Sequence, residues 1–291
     1  MKILITGGTG YLGSHLAASL ICSENKLFVL SRKKTDESRR RINSANYISA
    51  LYQNDSDIQY FIKEFSPDVV VHTAAAYGRA NESLMEVFDA NMHYGMTLFQ
   101  SLLTLNKKIV FLNAGTSLPS NLSPYALSKN QFVEWGRVYT ERHPDKLQFL
   151  NLQLQRFYGP GDIGDKFTAK IINACKNNEK YIDLTPGDQL VDFIYIDDVL
   201  SAYSVVLSQK KLLPNYLDIP VGSGTSIPVK KFAEMAREIS GSSIKLNFGK
   251  LCYRKNEPME SVANLTVLRN LGWQGSIDLK LGLMSCFKQG M

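Results

Sequence analysis

A chain of 291 residues, 44% hydrophobic and 21% charged, reads as an ordinary globular protein able to bury a full-size core as one large domain or two closely packed lobes. Thirty-three Lys and Arg against 27 Asp and Glu give a net charge of +6, which favours anionic partners without choosing among nucleic acid, membrane and nucleotide. Cys22, Cys175, Cys252 and Cys286 lie too far apart for a CxxC metal or redox site, no stretch of about 18 apolar residues occurs, and the start turns glycine-rich too early for a signal sequence; no metal, no membrane span and a cytoplasmic location are expected.

Short β-rich runs alternate with helical patterns over the first two-thirds. Residues 2–5, 27–30, 68–72, 108–112 and 148–154 are predicted as buried strands, with a weaker strand within 43–60. Runs that are apolar throughout suit a parallel sheet covered on both faces, so the fold class is α/β: a doubly wound parallel Rossmann sheet with a smaller C-terminal lobe. Beyond Gly161 the spacing predicts a helix near 166–177, a strand-to-helix turn at 192–199 and a helix opening at Ser226-Ile227-Pro228. The expected division is a nucleotide-binding domain over 1–155 and a mainly substrate-binding lobe over 156–291, with a segment near 190–220 returning to the sheet.

After the first strand, Thr6-Gly7-Gly8-Thr9-Gly10-Tyr11-Leu12-Gly13 opens a helical pattern through Leu12, Leu16 and Leu20. Glycines 7, 10 and 13 suit a tight turn, backbone approach to a pyrophosphate at a helix N-terminus, and close helix-to-sheet packing. The second strand ends Leu30-Ser31-Arg32-Lys33, where an NAD-preferring site usually carries a carboxylate for the ribose. Ser31 and Arg32 can instead hold a 2′-phosphate, which favours NADP(H); the alternative is a solvated basic loop, Arg32-Lys33-Lys34 with Arg39-Arg40-Arg41.

His72, at the end of a buried strand, is expected as a core histidine bonded to backbone. Tyr77 and Arg79 follow at the carboxyl edge where α/β ligands bind, with an exposed loop as the alternative. Ser123-Pro124-Tyr125-Ala126-Leu127-Ser128-Lys129 then combines a helix cap, a first-turn proline and a Tyr/Lys pair one helical turn apart. A phenol is a poor acid–base group near neutrality, and an ammonium on the same helix face favours its phenolate. Further along the same helix, Phe132, Trp135 and Tyr139 form an aromatic stripe expected to serve packing.

These motifs resemble those of an extended short-chain dehydrogenase/reductase of the nucleotide-sugar epimerase/dehydratase family. The likeness also takes in Val71-His72-Thr73-Ala74-Ala75, Asn91 with Gly95-Met96-Thr97, Phe157-Tyr158-Gly159-Pro160-Gly161, Asp192 to Asp198, Tyr253-Arg254 and Leu271-Gly272-Trp273, and so covers essentially the whole chain. It implies cofactor contacts from Gly7, Thr9, Gly10, Tyr11, Leu12, Ser31, Arg32, Thr73, Ala74, Ala75, Asn91 and Lys129, catalysis by Tyr125 and Lys129 with a third hydroxyl, and a homodimer. Ala114 stands where that hydroxyl is usual, which leaves Thr116 or Ser117; Thr116 is favoured.

A narrower likeness, to the CDP-paratose and CDP-abequose synthase group, rests on Ala76-Tyr77-Gly78-Arg79, on Phe111 to Pro119 and on Asp162 with Asp165-Lys166-Phe167. It implies NADPH-dependent reduction of the 4-keto group of a nucleotide-linked dideoxyhexose for bacterial surface polysaccharide, with Tyr77, Arg79, Ser117, Arg156, Lys166, Phe167 and Arg254 on the substrate. Val191 stands where an Arg is common, which shifts diphosphate recognition toward Arg254 with Arg156 and Lys166. No Asp or Glu occurs between Phe111 and Val133, against a 4,6-dehydratase. The remaining alternatives are a 4-epimerase with bound NAD and a non-catalytic NADP(H) sensor; nothing gathers basic and aromatic residues into a nucleic-acid module.

Overall fold

The computed structural model describes residues 1–21, 24–32, 44–79, 81–162 and 165–288. Cys22, Lys33, Lys34, Arg39, Arg40 and Arg41 lie outside the described residues. The chain divides into two compact units, Met1–Gln153 with Val206–Ile219, and Leu154–Val205 with Pro220–Met291.

Unit 1 is built on β1 (Lys2–Thr6), β2 (Lys26–Ser31), β3 (Tyr47–Leu51), β4 (Val69–His72), β5 (Ile109–Thr116), β6 (Leu147–Leu154) and an edge strand over Tyr216–Val221. From that edge the strand order is β6, β5, β4, β1, β2, β3, with parallel pairing from β5 through β3. The order reverses between β1 and β4, the point at which an open α/β sheet presents a ligand crevice at its strand carboxyl ends. Ile3, Leu4, Ile5 and Val69, Val70, Val71 are almost wholly buried, which is why these strands read as unbroken apolar runs. Tyr47–Leu51 shows mostly exposed residues because β3 is the sheet edge, and its apolar signal in the sequence is correspondingly weak.

The helices of unit 1 begin with α1 (Tyr11–Leu20), α2 (Asp55–Phe65) and α3 (Leu84–Phe88). α3 runs through a π turn (Asp89–His93) into α4 (Tyr94–Leu103), and α5 (Pro124–Arg142) follows. Phe99, Phe111, Phe132 and Phe149 are fully buried, with Phe99 and Phe132 stacked at 5.0 Å. Each contributes on the order of 2–3 kcal/mol of burial. The aromatic stripe on α5 splits: Phe132 and Tyr139 pack on Phe99, whereas Trp135 is 46% exposed.

Unit 2 contains β7 (Arg156–Tyr158), α6 (Phe167–Lys176), β8 (Tyr181–Asp183) and β9 (Leu190–Tyr195), which leads into α7 (Ile196–Gln209). The chain then supplies β10 (Tyr216–Val221, the edge strand of the large sheet), β11 (Ser226–Pro228), α8 (Val229–Ser240), β12 (Lys245–Asn247), β13 (Glu260–Ser261), α9 (Thr266–Asn270) and α10 (Leu279–Lys288). The helix expected to open at Ser226 begins only at Val229. Residues 226–228 instead pair antiparallel with β9, which satisfies their backbone before the helix starts.

Two buried carboxylates tie unit 2 together. Asp192 accepts hydrogen bonds from the N–H groups of Ser223, Gly224 and Ala263 and from the Ser223 hydroxyl. Asp198 accepts from Ser276 and Ile277, and the Trp273 indole donates to Ser201 at 2.8 Å. The late sequence markers around Asp192, Asp198 and Trp273 are thus architectural ties.

Candidate active site

Gly7 adopts φ +68°, and its carbonyl accepts the Gly10 N–H at 2.9 Å. A Cβ at Gly7 would meet the Ala74 nitrogen at 2.5 Å, and one at Gly13 would collide with the Gly7 carbonyl, so the β1–α1 turn lies directly against the loop after β4. Gly10 precedes helix α1 as its N-cap, with no side-chain cap bond and no acidic residue in the first turn, which leaves the N-terminal polarity available to an anion. Thr9, Gly10, Tyr11, Ala74 and Ala75 are half-buried around the turn, whereas Leu12 is buried. Both the N–H and the hydroxyl of Thr73 donate to the Thr6 carbonyl, at 3.1 and 2.8 Å.

At the end of β2, Ser31 is buried, its carbonyl accepts the Tyr52 N–H at 3.0 Å, and Arg32 is exposed. Tyr52 and Tyr94 stack at 4.9 Å nearby; burial pushes the Tyr52 phenol up to about 12, with the Arg32 charge opposing.

Ser123 caps α5 by accepting the Ala126 N–H at 3.2 Å, and Pro124 fills its first turn. The helix brings Tyr125 and Lys129 onto one face. Lys129 is buried, its Nζ has no hydrogen-bond partner among the described residues, and burial pushes its pKa down to about 8. A buried amine without a partner is uncommon, because buried polar groups are almost always hydrogen-bonded.

Burial holds the Tyr125 phenol well above 10; Tyr77 reinforces that shift, while Arg79 and the Thr116 hydroxyl oppose it. Arg79 is thus a second cation, beside Lys129, that favours the Tyr125 phenolate. The Lys129 charge acts on His72, whose pKa is lowered well below 6.5 by burial first and Lys129 second. His72 bonds the Thr6 hydroxyl at 2.7 Å rather than a backbone group, because backbone partners on both sides are taken by the sheet.

Asn91 sits in the π turn with no exposed surface. Its Oδ1 accepts the Ala76 N–H at 2.8 Å, and its Nδ2 donates to the Ala76 carbonyl and to the Ser128 hydroxyl, both at 2.9 Å. Expected on the cofactor, Asn91 instead spends its amide on protein groups and clasps the loop after β4 to α5.

The family model for the NAD-dependent epimerase/dehydratase family matches residues 3–222. The chain belongs to that family. It is 34% identical to a CDP-abequose synthase of Salmonella muenchen over 97% of this chain and 95% of that one, and 29% identical to a CDP-abequose synthase of Salmonella typhimurium over 99% and 97%. Among solved structures, a UDP-glucose 4-epimerase of Thermus thermophilus in complex with NAD superposes with a TM-score of 0.86 at 20% identity, covering 100% of this chain and 99% of that one. That likeness shows the shared fold. A nicotinamide cofactor and nucleotide-sugar chemistry follow from membership of this epimerase/dehydratase family.

Within this family member, unit 2 gathers the other basic residues named from sequence. Arg156 and Arg254 converge on Glu257, at 3.2 and 2.6 Å, and Glu257 is 6% exposed on its side chain. One carboxylate thus meets two guanidiniums. Lys166 pairs with buried Asp162 at 3.4 Å and lies 4.4 Å from the Phe157 ring centroid. Phe167 rests half-buried against Phe193 and Phe232, a packing position, and Val191 is buried in β9. Ser117 is half-buried just past β5, and Ala114 is buried within it.

Sequence reasoning missed Glu257, and it named Asp162 in a motif without its pairing to Lys166, although spacings of three from Arg254 and four from Lys166 signalled each. Among the described residues no group of three or more His, Cys, Asp or Glu could hold a metal, and no helix is long and apolar enough to cross a membrane.

Proposed function

We propose that the protein reduces the 4-keto group of a nucleotide-linked deoxyhexose with NADPH, in the manner of a CDP-abequose or CDP-paratose synthase. The observation that carries this reading is the pairing on α5: a phenol one helical turn before a buried amine that has no hydrogen-bond partner among the described residues. The glycine turn and the uncapped α1 terminus hold the pyrophosphate, Ser31 and Arg32 hold a 2′-phosphate, and Lys129 holds a ribose hydroxyl. NADPH, when bound, supplies the hydride. Tyr125 gives its proton to the C4 oxygen, and Thr116 orients that oxygen and the phenol. Desolvation keeps Tyr125 protonated, the state a general acid needs at the start of a reduction.

In unit 2, Arg156 and Arg254, whose guanidiniums gather on Glu257, are the proposed diphosphate contacts, with Lys166 supporting them. Identities of 29% and 34% to named CDP-abequose synthases support the CDP-sugar class. The test is NADPH oxidation against CDP-, dTDP- and GDP-linked 4-keto sugars, with product stereochemistry read by NMR. Oxidation fastest with a CDP-linked ketone is expected; no oxidation with any member, together with retained NAD, would establish an epimerase instead.

A homodimer is part of the proposal. Leu84, Met85, Phe88, Leu127 and Trp135 are exposed on α3 and α5, and Phe88, Met92, Met96 and Trp135 line an apolar hollow of about 470 Å³. Sedimentation equilibrium should give twice the chain mass; a monomer at micromolar concentration would remove this part.

A further inference from the structure

The loop after β4 is held to the catalytic helix more tightly than a substrate contact requires. Asn91 bonds both backbone groups of Ala76 and the Ser128 hydroxyl, and that hydroxyl also donates to the Tyr125 carbonyl at 3.0 Å. The residue after Ala76 is thereby fixed against the first turn of α5. The ring of Tyr77 stacks on the ring of Tyr125 with centroids 4.6 Å apart and planes at 27°. Gly78 follows at φ +66°, a conformation that turns the chain back, and the Arg79 guanidinium carbon lies over the Tyr77 ring at 5.7 Å from its centroid. An arginine and two tyrosines thus form one aromatic–cationic cluster, set by a buried asparagine in a π turn, a local geometry that often marks functional sites.

We infer that Tyr77 and Arg79 are a positioning pair for Tyr125: the Tyr77 ring fixes the plane of the catalytic phenol, and Arg79 brings the positive charge that serves it. This rests on the proposed role of Tyr125 as proton donor. The groups facing the phenol are Tyr77 and Arg79 from the loop, Thr116 from β5 and Lys129 from its own helix. Arg79 favours the phenolate, whereas the Tyr77 hydroxyl opposes it, so the two members of the pair pull in opposite directions.

The experiment follows the alkaline limb of kcat, where a protonated donor is lost, in Arg79→Gln, Arg79→Lys and Tyr77→Phe. The limb should move to higher pH in Arg79→Gln, return toward the wild-type position in Arg79→Lys, and move to lower pH in Tyr77→Phe, each change being on the order of half to one pH unit. In parallel, the phenolate absorbance contributed by Tyr125, taken as the difference from Tyr125→Phe with NADP⁺ present, is read near pH 11. It should fall in Arg79→Gln and rise in Tyr77→Phe.

Limbs and absorbance unmoved, with only KM raised, would make the pair simple substrate contacts and overturn the inference. Movement of both variants in one direction would overturn it as well. Should no keto sugar be reduced, the proposed function fails, and the absorbance measurement still decides whether the pair sets the state of Tyr125.

Discussion

Two stacked tyrosine pairs stand in unit 1, each within the field of an arginine. Tyr52 and Tyr94 meet at 4.9 Å and 11°, with the Arg32 charge acting on both phenols, and Tyr77 and Tyr125 meet at 4.6 Å and 27°, with Arg79 over the Tyr77 ring. The parts are alike and the surroundings are not. Tyr52 and Tyr94 are 9% and 6% exposed within the main apolar cluster, and the Tyr52 N–H ties β3 to the Ser31 carbonyl. Tyr77 is 39% exposed, and the Thr116 hydroxyl favours the phenolate of its partner Tyr125. Ring geometry alone therefore does not make a reaction centre. On the proposed function, access for a ligand and a second hydroxyl acting on the phenol separate the pair that transfers a proton from the pair that braces a strand.

The sharpest way to break this contrast is Tyr125→Phe, which keeps the stack and removes the proton. Turnover should fall by a hundredfold or more while NADPH binding, followed by fluorescence titration, stays within about twofold. A fully active variant would place Tyr125 with the bracing pair.

Lys129→Met probes the same helix face. The folded protein gives up the Lys129 proton near pH 8, the unfolded chain near 10.5. Between those values the unfolded state holds more protons, so the ligand-free protein should gain stability as pH rises through that window. Removing the buried charge should raise the melting temperature of the ligand-free protein at pH 7, by up to roughly 3 kcal/mol in stability, while NADPH affinity falls at least tenfold. A lower melting temperature would mean that the amine has a partner in the free protein.

At the other pair, Arg32→Ala should weaken NADPH about tenfold or more and NADH less than about threefold, as measured by titration. Equal losses would reduce Arg32 to a surface charge. The smallest effect is expected for Tyr52→Phe, which keeps the stacked ring: kcat should stay within about twofold, with destabilisation below about 1 kcal/mol by urea denaturation. A large loss of turnover there would erase the distinction between the two pairs.

How legible each part was follows the range of the interaction that makes it. Buried strands β1, β2, β4, β5 and β6 declare themselves as apolar runs, while edge strand β3, alternating between sheet and water, does not. The turn from Gly7 to Gly13 is readable because its function is carried by backbone, and only a missing Cβ permits that backbone. The Ser123 cap and the Tyr125–Lys129 spacing are readable because four residues make one helical turn. Asn91 was legible as a motif and illegible as a role, since its partners Ala76 and Ser128 lie 15 and 37 residues away.

The sequence by itself determined the α/β class, the dinucleotide-type turn and the face of α5 that carries phenol and amine, because each depends on neighbours within a strand or a helical turn. Tertiary structure alone decided that Arg79 comes close enough to Tyr77 to join the Tyr125 stack, that His72 bonds Thr6, and that Glu257 lies between Arg156 and Arg254. Charge and hydrogen bonding act through space, and which side chains come within a few ångströms is fixed only when distant segments pack.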